Sequence, residues 1–331
     1  MQTIRLGSDG LTVSALGLGC MGMSGTYGPA DERESIGTIH AALDAGISLL
    51  DTGAFYGMGN NELLIAQALQ TRNRDKALTS VKFGAQRGPD GSWLGYDARP
   101  AAVKTALAYS LNRLRVDHID IYRPARLDPG VPIEETVGAI AEMVQAGYVR
   151  YIGLSEVGAE TIRRAASVHP ICDLQIEYSV ISRGIERSIL PACRELGIGI
   201  TAYGVLSRGL LSGHYRPDAR PTGGDIRHRF PRFQGESLRR NLALVEALGD
   251  IAAARGATVS QLAFAWVRSR GEDIVPLLGA RNRDQLKDGL GALDHTLTEE
   301  DLERIEKAIP VGAAAGSRYG EEQMAHLDSE R

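Results

Sequence analysis

The sequence predicts an α/β chain closed into a (β/α)8 barrel, and three observations carry that expectation. Short apolar runs with strand character recur at about residues 15–18, 47–51, 77–82, 118–122, 149–154, 172–176, 198–203 and 273–278. Amphipathic helical patterns fall between them, and strands alternating with helices imply parallel pairing. Eight such units favour a closed barrel over an open sheet, and 331 residues suit one barrel domain spanning 1–331.

Each element has its own signal. Residues 3–13 read as an N-terminal β-hairpin turning at Ser8-Asp9-Gly10. Asp31 followed by Glu34 resembles a capping box, and the helix it opens stops at Gly46. In 100–114, Val103, Leu107, Leu111 and Leu114 share one face. In 132–146, Pro132 takes a first-turn position, Glu134 and Glu135 suit the helix dipole, and Ile133, Val137, Ile140 and Val144 form the apolar stripe. Ile185, Ile189, Cys193 and Leu196 repeat that pattern, with Gly197 as the stop. Residues 212–235, rich in Gly, Pro and Arg, break the rhythm, as long functional loops do. An extra helix from about Thr298 to Ile309 precedes a tail from about Gly312, expected to cross the surface or to be mobile.

Composition narrows the function. With 43% hydrophobic and 24% charged residues, the chain has ordinary globular composition. A net charge of −4 without a basic block argues against nucleic acid or anionic membrane as a partner. No apolar run reaches membrane length, and Met1-Gln2-Thr3-Ile4-Arg5 lacks a signal-peptide core. Cys20, Cys172 and Cys193 are odd in number and show no CxxC spacing, which reads as buried thiols in a reducing compartment. A cytoplasmic location follows as the expectation. Seven histidines show no ligand spacing such as HExxH, so no metal site is expected.

Barrel enzymes place their chemistry at the C-terminal ends of the strands. Reading those ends in order gives Cys20-Met21, Asp51, Lys82, Arg123 to Arg126, Ser155-Glu156, Gln175, Tyr203 and Gly279-Ala280-Arg281. Asp51, Lys82 and the nearby Tyr56 can make one site at a common mouth. Residues 17–22 match GxGxxG, but nine residues, Met23 to Asp31, precede the next helix. A Rossmann site needs the helix to start inside the motif, so a Gly-rich mouth is the better reading. Gly279 to Gln285, with Arg281 and Arg283, leads into a helix after strand 8, where barrels commonly hold phosphate.

These residues carry a family likeness. The chain resembles the aldo-keto reductases over nearly its whole length. The likeness rests on Leu18-Gly19-Cys20-Met21-Gly22-Met23, Asp51-Thr52-Gly53-Ala54-Phe55-Tyr56-Gly57, Asn61-Glu62 and Val81-Lys82-Phe83-Gly84. It continues through Ser110-Leu111-Asn112-Arg113-Leu114, 131–137, Gly153-Leu154-Ser155-Glu156, 175–179 and Gly279-Ala280-Arg281. The resemblance implies a barrel that binds NADPH without a Rossmann fold and reduces an aldehyde or ketone.

By that resemblance Asp51, Tyr56 and Lys82 are catalytic. Tyr56 donates the proton, Lys82 lowers its pKa from the usual value of about 10, and Asp51 holds Lys82. Cys20, Met21, Asp51, Ser155, Gln175, Tyr203, Leu206, Arg208, Gly279, Arg281 and Gln285 would surround the cofactor. Within that set Ser155 and Gln175 hold the carboxamide, Tyr203 stacks on the nicotinamide, Leu206 and Arg208 meet the pyrophosphate, and Arg281 favours NADPH. Tyr56, Trp93, Arg123 and Ala125 would line the substrate pocket. Three departures stand out. The family's catalytic His is replaced by Ala125, its Ser-Pro after the strand-7 Tyr by Gly204-Val205, and a common Asn by Gly289. Losing an oxyanion donor costs ~2.7–4 kcal/mol in enzymes that rely on it. A roomier pocket suits a bulky or cyclic ketone. Arg123 and Arg126 are possible substitutes, although a rim salt bridge is the favoured role for Arg126. The missing His also motivates an alternative, a low-turnover nicotinamide-binding regulatory or redox-sensing subunit.

Overall fold

The computed structural model describes all residues of the chain except Asp9, Asn73, His214 and 216–224. Two short strands come first, β1 (Thr3–Leu6) and β2 (Leu11–Ser14), paired antiparallel. Part of their turn, at Asp9, lies outside the described residues. The barrel begins with β3 (Gly17–Gly19), β4 (Leu49–Gly53) and β5 (Leu78–Phe83). A small antiparallel hairpin follows, β6 (Ala85–Arg87) and β7 (Trp93–Tyr96). The barrel then resumes with β8 (Ile119–Pro124), β9 (Val149–Ser155), β10 (Ile171–Glu177), β11 (Gly199–Tyr203) and β12 (Ile274–Gly279). Its eight strands are parallel and close in chain order, β12 pairing with β3.

Helices clothe the outside: α1 (Glu32–Asp44), α2 (Asn60–Leu69), α3 (Pro100–Leu114), α4 (Ile133–Gln145), α5 (Ala159–Ala166) and α6 (Ile189–Glu195). The remainder are α7 (Gly235–Ala254), α8 (Val259–Ser269), α9 (Arg283–Leu290), α10 (Glu299–Ala308) and α11 (Glu321–Ala325). The apolar stripes read from sequence face the strands: Val103, Leu107 and Leu114 of α3 and Ile133, Val137 and Ile140 of α4 are buried. None of the described helices is long and apolar enough to cross a membrane.

Local details differ from expectation for identifiable reasons. Asp31 caps α1 by accepting from the Glu34 N–H at 2.7 Å, but the Glu34 carboxylate turns outward to Arg283 and leaves the capping box half closed. The segment from Ile185 starts as a 3-10 turn, 184–186, before α6 proper. Within 212–235, two 3-10 turns occupy 226–229 and 231–233, and His214 and 216–224 lie outside the described residues. Gly289 sits where the resemblance expects Asn because α9 presses on β12, and a Cβ there would lie 2.2 Å from Leu278 Cδ1.

The hairpin plugs the N-terminal end of the barrel. Leu6, Leu11 and Val13 pack there against Leu49, Ile121, Cys172, Val275 and Leu277. All three cysteines are buried.

Candidate active site

Parallel register builds the mouth. Asp51 lies opposite Ser80, and Lys82 lies two residues beyond Ser80 on the same face. The Asp51 carboxylate therefore meets both side chains. Oδ1 accepts from Lys82 Nζ at 2.6 Å, and Oδ2 accepts from Ser80 Oγ at 2.9 Å. Gln175 closes the ring, with Oε1 accepting from Lys82 at 2.9 Å and Nε2 donating to Asp51 Oδ2 at 2.6 Å. All four residues are buried. Burial pushes the Lys82 ammonium below its usual range, with Asp51 acting against that shift.

Tyr56 stands on a tightly wound loop. Gly57, Met58 and Gly59 take left-handed φ values of 56°, 57° and 95° in succession. Such strain persists only where the surroundings enforce it. Asn61, wholly buried, supplies the enforcement: it accepts from Thr52 Oγ1 at 2.6 Å and donates to the Cys20 carbonyl at 2.9 Å and to Ser24 Oγ at 2.7 Å. Glu62 pairs with Arg113. The Asn61-Glu62 pair thus ties the ends of β3 and β4 to α2. The Tyr56 ring packs over Gly53, and Lys82 Nζ lies 5.2 Å from its centroid.

The expectation that Lys82 draws down the Tyr56 pKa does not hold in this arrangement. Burial, then the Asp51 carboxylate, raise the phenol well above its ordinary value, and the strongest cation acting the other way is Arg126. The physical reason is that Lys82 is already neutralised by Asp51 at contact distance.

The strand-4 end divides its residues between two levels. Arg123 is wholly buried inside the barrel, donating to Asp173 Oδ2 and to Ser80 Oγ, each at 2.9 Å. It braces the Ser80–Asp51 contact from below rather than opening onto a pocket. Asp173 also accepts from Thr201. Ala125 is buried at the mouth. Arg126 makes no rim salt bridge among the described residues. Its guanidinium turns inward, donating to the Ala125 carbonyl at 2.6 Å, to Ser155 Oγ at 3.5 Å and to the Tyr319 hydroxyl at 3.3 Å.

The remaining expected cofactor residues line one side of the mouth. Cys20 is fully buried, while Met21, Tyr203, Leu206 and Arg208 are half-buried. The Leu206 turn carries Ser207, Arg208 and Gly209 with φ of 45°, 58° and 91°, and Ser207 Oγ is buried without a hydrogen-bond partner among the described residues. Gly279 is exposed, with open space where a Cβ would stand. Arg281 donates to the Tyr27 carbonyl at 3.1 Å, and its own N–H is held by the Gln285 side chain at 2.9 Å. Asn282 caps α9. An open glycine, a left-handed turn and two arginines suit an anionic dinucleotide laid across β11 and β12. Trp93 lies exposed on the β6–β7 hairpin, edge-on to Tyr96 and beneath Arg87.

The tail was the part least visible in sequence. It crosses the strand ends and docks there. Arg318 inserts between Glu156 and Glu177, donating to Glu156 at 2.8 and 3.1 Å and to Glu177 at 3.3 Å. Ser329 donates to Glu156 at 2.6 Å, and the Asp328 carboxylate accepts from the Gly158 N–H at 2.7 Å. Burial alone would raise the Glu156 pKa, but Arg318 holds it well below the carboxylate range. Tyr319 brings its hydroxyl to 2.9 Å from that of Tyr203, and Arg208 lies 4.5 Å from the ring centroids of both Tyr319 and Phe230. Its only sequence signal was an Arg-Tyr pair in a Gly- and Ala-rich stretch.

Known proteins share this arrangement of chain. The family model described as "Aldo/keto reductase family" matches residues 15–310. A protein named probable aldo-keto reductase 1, from Glycine max, is 44% identical over 322 residues, covering 96% of this chain and 92% of that protein. A solved glycerol dehydrogenase from Gluconobacter oxydans superposes with a TM-score of 0.84 at 30% identity, covering 92% of this chain and 94% of its own. A thermostable aldo-keto reductase, solved with the inhibitor epalrestat, gives 0.74 at 26% identity, covering 93% and 100%.

Proposed function

The chain belongs to the aldo/keto reductase family, and from that premise we propose an NADPH-dependent reductase of aldehydes or ketones with Tyr56 as proton donor. Membership makes it an oxidoreductase of carbonyl compounds; the cofactor, the proton donor and the substrate are the proposal. The observation that carries it is the buried Asp51–Lys82–Gln175 ring with the Tyr56 phenol over Lys82.

When bound, the dinucleotide supplies the hydride. The chain's own residues do the rest. Arg281 and Gln285 would hold the adenosine end, and the Leu206–Gly209 turn the pyrophosphate. Arg281 has no carboxylate partner among the described residues, so its charge is available for a 2′-phosphate. Ser155 and Tyr203 would place the nicotinamide, while Gln175 is engaged by Lys82 and Asp51. A phenol raised well above 10 stays protonated at neutral pH, which makes Tyr56 a donor in the reductive direction and a poor base in reverse. Ala125 leaves room for a bulky or cyclic ketone.

The test follows NADPH oxidation with a panel of aldehydes and ketones, for wild type and Tyr56→Phe. Turnover in wild type that is lost in the variant supports the reading. Tight NADPH binding with no turnover across the panel sinks it and supports the regulatory, low-turnover reading that Ala125 also motivates.

A further inference from the structure

Arg126 differs from the other arginines around the mouth. Arg123 is paired with Asp173, Arg208 and Arg232 with Glu177, and Arg318 with Glu156. Arg126 has no ion-pair partner among the described residues. Its three acceptors, the Ala125 carbonyl, Ser155 Oγ and the Tyr319 hydroxyl, are all neutral. The carboxylate acting on it from further off, Glu156, is already committed to Arg318, Tyr203 and Ser329.

The geometry leaves a directed vacancy in the bonding of that guanidinium. Nε has no acceptor among the described residues, and Nη2 donates to the Tyr319 hydroxyl alone, so the guanidinium keeps N–H groups with which to hold a carboxylate. The group is also close to the chemistry. Ser155, which Arg126 touches, lies in register with Gln175, whose side chain bonds both Lys82 and Asp51. The mouth at which Tyr56 would meet a substrate carbonyl therefore also presents the Arg126 guanidinium, which has no ion-pair partner among the described residues. The side chain that precedes Arg126 ends at Cβ, so Ala125 does not intervene.

We propose that Arg126 is a carboxylate-binding subsite of the substrate pocket, so that preferred substrates carry a carboxylate near the reacting aldehyde or ketone. The proposal rests on the carbonyl-reductase reading and deepens it. Arg126 acts here as a specificity residue that touches substrate. A competing role, as a latch that only holds Tyr319, makes different predictions.

The experiment compares matched acid and ester substrates: phenylglyoxylate against its methyl ester, and 4-carboxybenzaldehyde against its methyl ester. Values of kcat/KM are measured for wild type, Arg126→Met and Arg126→Lys. Wild type is expected to prefer the acids by tenfold or more, on the order of a charged hydrogen-bonded contact. Arg126→Met should lower the acid-to-ester ratio of kcat/KM by ~10–100-fold, with the loss for the acids falling mainly on KM. Arg126→Lys should restore part of the preference, since it keeps the charge and loses the fork. Calorimetry gives an independent readout: benzoate binding should weaken at least tenfold in Arg126→Met, with benzamide unchanged. Equal use of acid and ester by wild type overturns the subsite. So does a parallel fall for both in Arg126→Met, which is the signature of the latch. If the esters are still reduced and lose turnover in Tyr56→Phe, the reductase reading survives that failure. If neither acid nor ester is reduced by wild type, both fall.

Discussion

At the N-terminal end of the barrel, Leu6, Leu11 and Val13 of the hairpin rest on Leu49, Ile121, Val275 and Leu277. At the other end the same bore is filled by Asp51, Ser80, Lys82, Arg123, Asp173 and Gln175. The floor gains from removing apolar surface from water, and any close-packed set of the right volume would serve. At the mouth each charge of this set carries a desolvation cost that its partner offsets, Asp51 with Lys82 and Asp173 with Arg123. Even so, Arg123 Nε and Asp173 Oδ1 have no hydrogen-bond partner among the described residues, and burial leaves the Asp173 carboxyl above its usual range. The two ends are also covered differently, the floor by an apolar hairpin and the mouth by a tail pinned through ion pairs. The contrast assigns stability to one end and chemistry to the other.

The largest effect should come from separating the two. Tyr56→Phe is expected to cut kcat by ~10²–10⁴-fold while the melting transition stays in place, because the exchange removes one hydroxyl and keeps the ring that packs over Gly53. A coincident loss of folding would collapse the distinction. At the floor the reverse is expected. Leu49→Ala, at a wholly buried site, should lower unfolding free energy by ~2–5 kcal/mol and leave kcat/KM at 25 °C close to wild type. Denaturant melts together with steady-state rates check it.

Arg281→Ala should weaken NADPH binding by ~10–100-fold and NADH binding hardly at all. Equal loss for both cofactors would remove the case for NADPH. The tail tests the matched charges by pH. Glu156 and Glu177 titrate below the ordinary value of 4.5 because their arginine partners outweigh burial. Their contribution is therefore complete above that value and lost as pH falls through the depressed folded values. Hydrogen-exchange protection of residues 313–331, corrected for intrinsic rates, should persist from pH 7 to pH 5, and its loss across that interval would contradict the ion-pair account. The smallest effect is expected for the reductive kcat between about pH 6 and 9. It should be flat, since Tyr56 stays protonated and Ala125 brings no imidazole to titrate.

What the sequence made legible was whatever has a local period or a local motif. The strand ends, the α3 and α4 stripes and the Asp51, Tyr56 and Lys82 positions each follow from a few neighbouring residues. Side-chain direction did not follow. Arg123 and Arg126 are three residues apart on one strand end, yet one braces the barrel interior and the other turns over the mouth. Nor did long-range pairing. Glu156 and Arg318 are joined across the whole second half of the chain, and nothing in the Gly- and Ala-rich tail marks its target. The charge state of Tyr56 was also hidden, because it depends on whether Lys82 is already spent on Asp51 rather than on their presence.

The chain contains two tryptophans, and the fold gives them opposite optical fates. Trp266 is 1% exposed, packed near Tyr178, with the Arg183 and Arg270 guanidiniums 5.3 and 5.2 Å from its ring centroid. Trp93 is 38% exposed on the hairpin beyond β5. A collisional quencher such as acrylamide should therefore extinguish one emission component and spare the other. Any molecule settling against that hairpin would shield the accessible indole, so the unlabelled protein carries its own gauge of occupancy, readable without turnover.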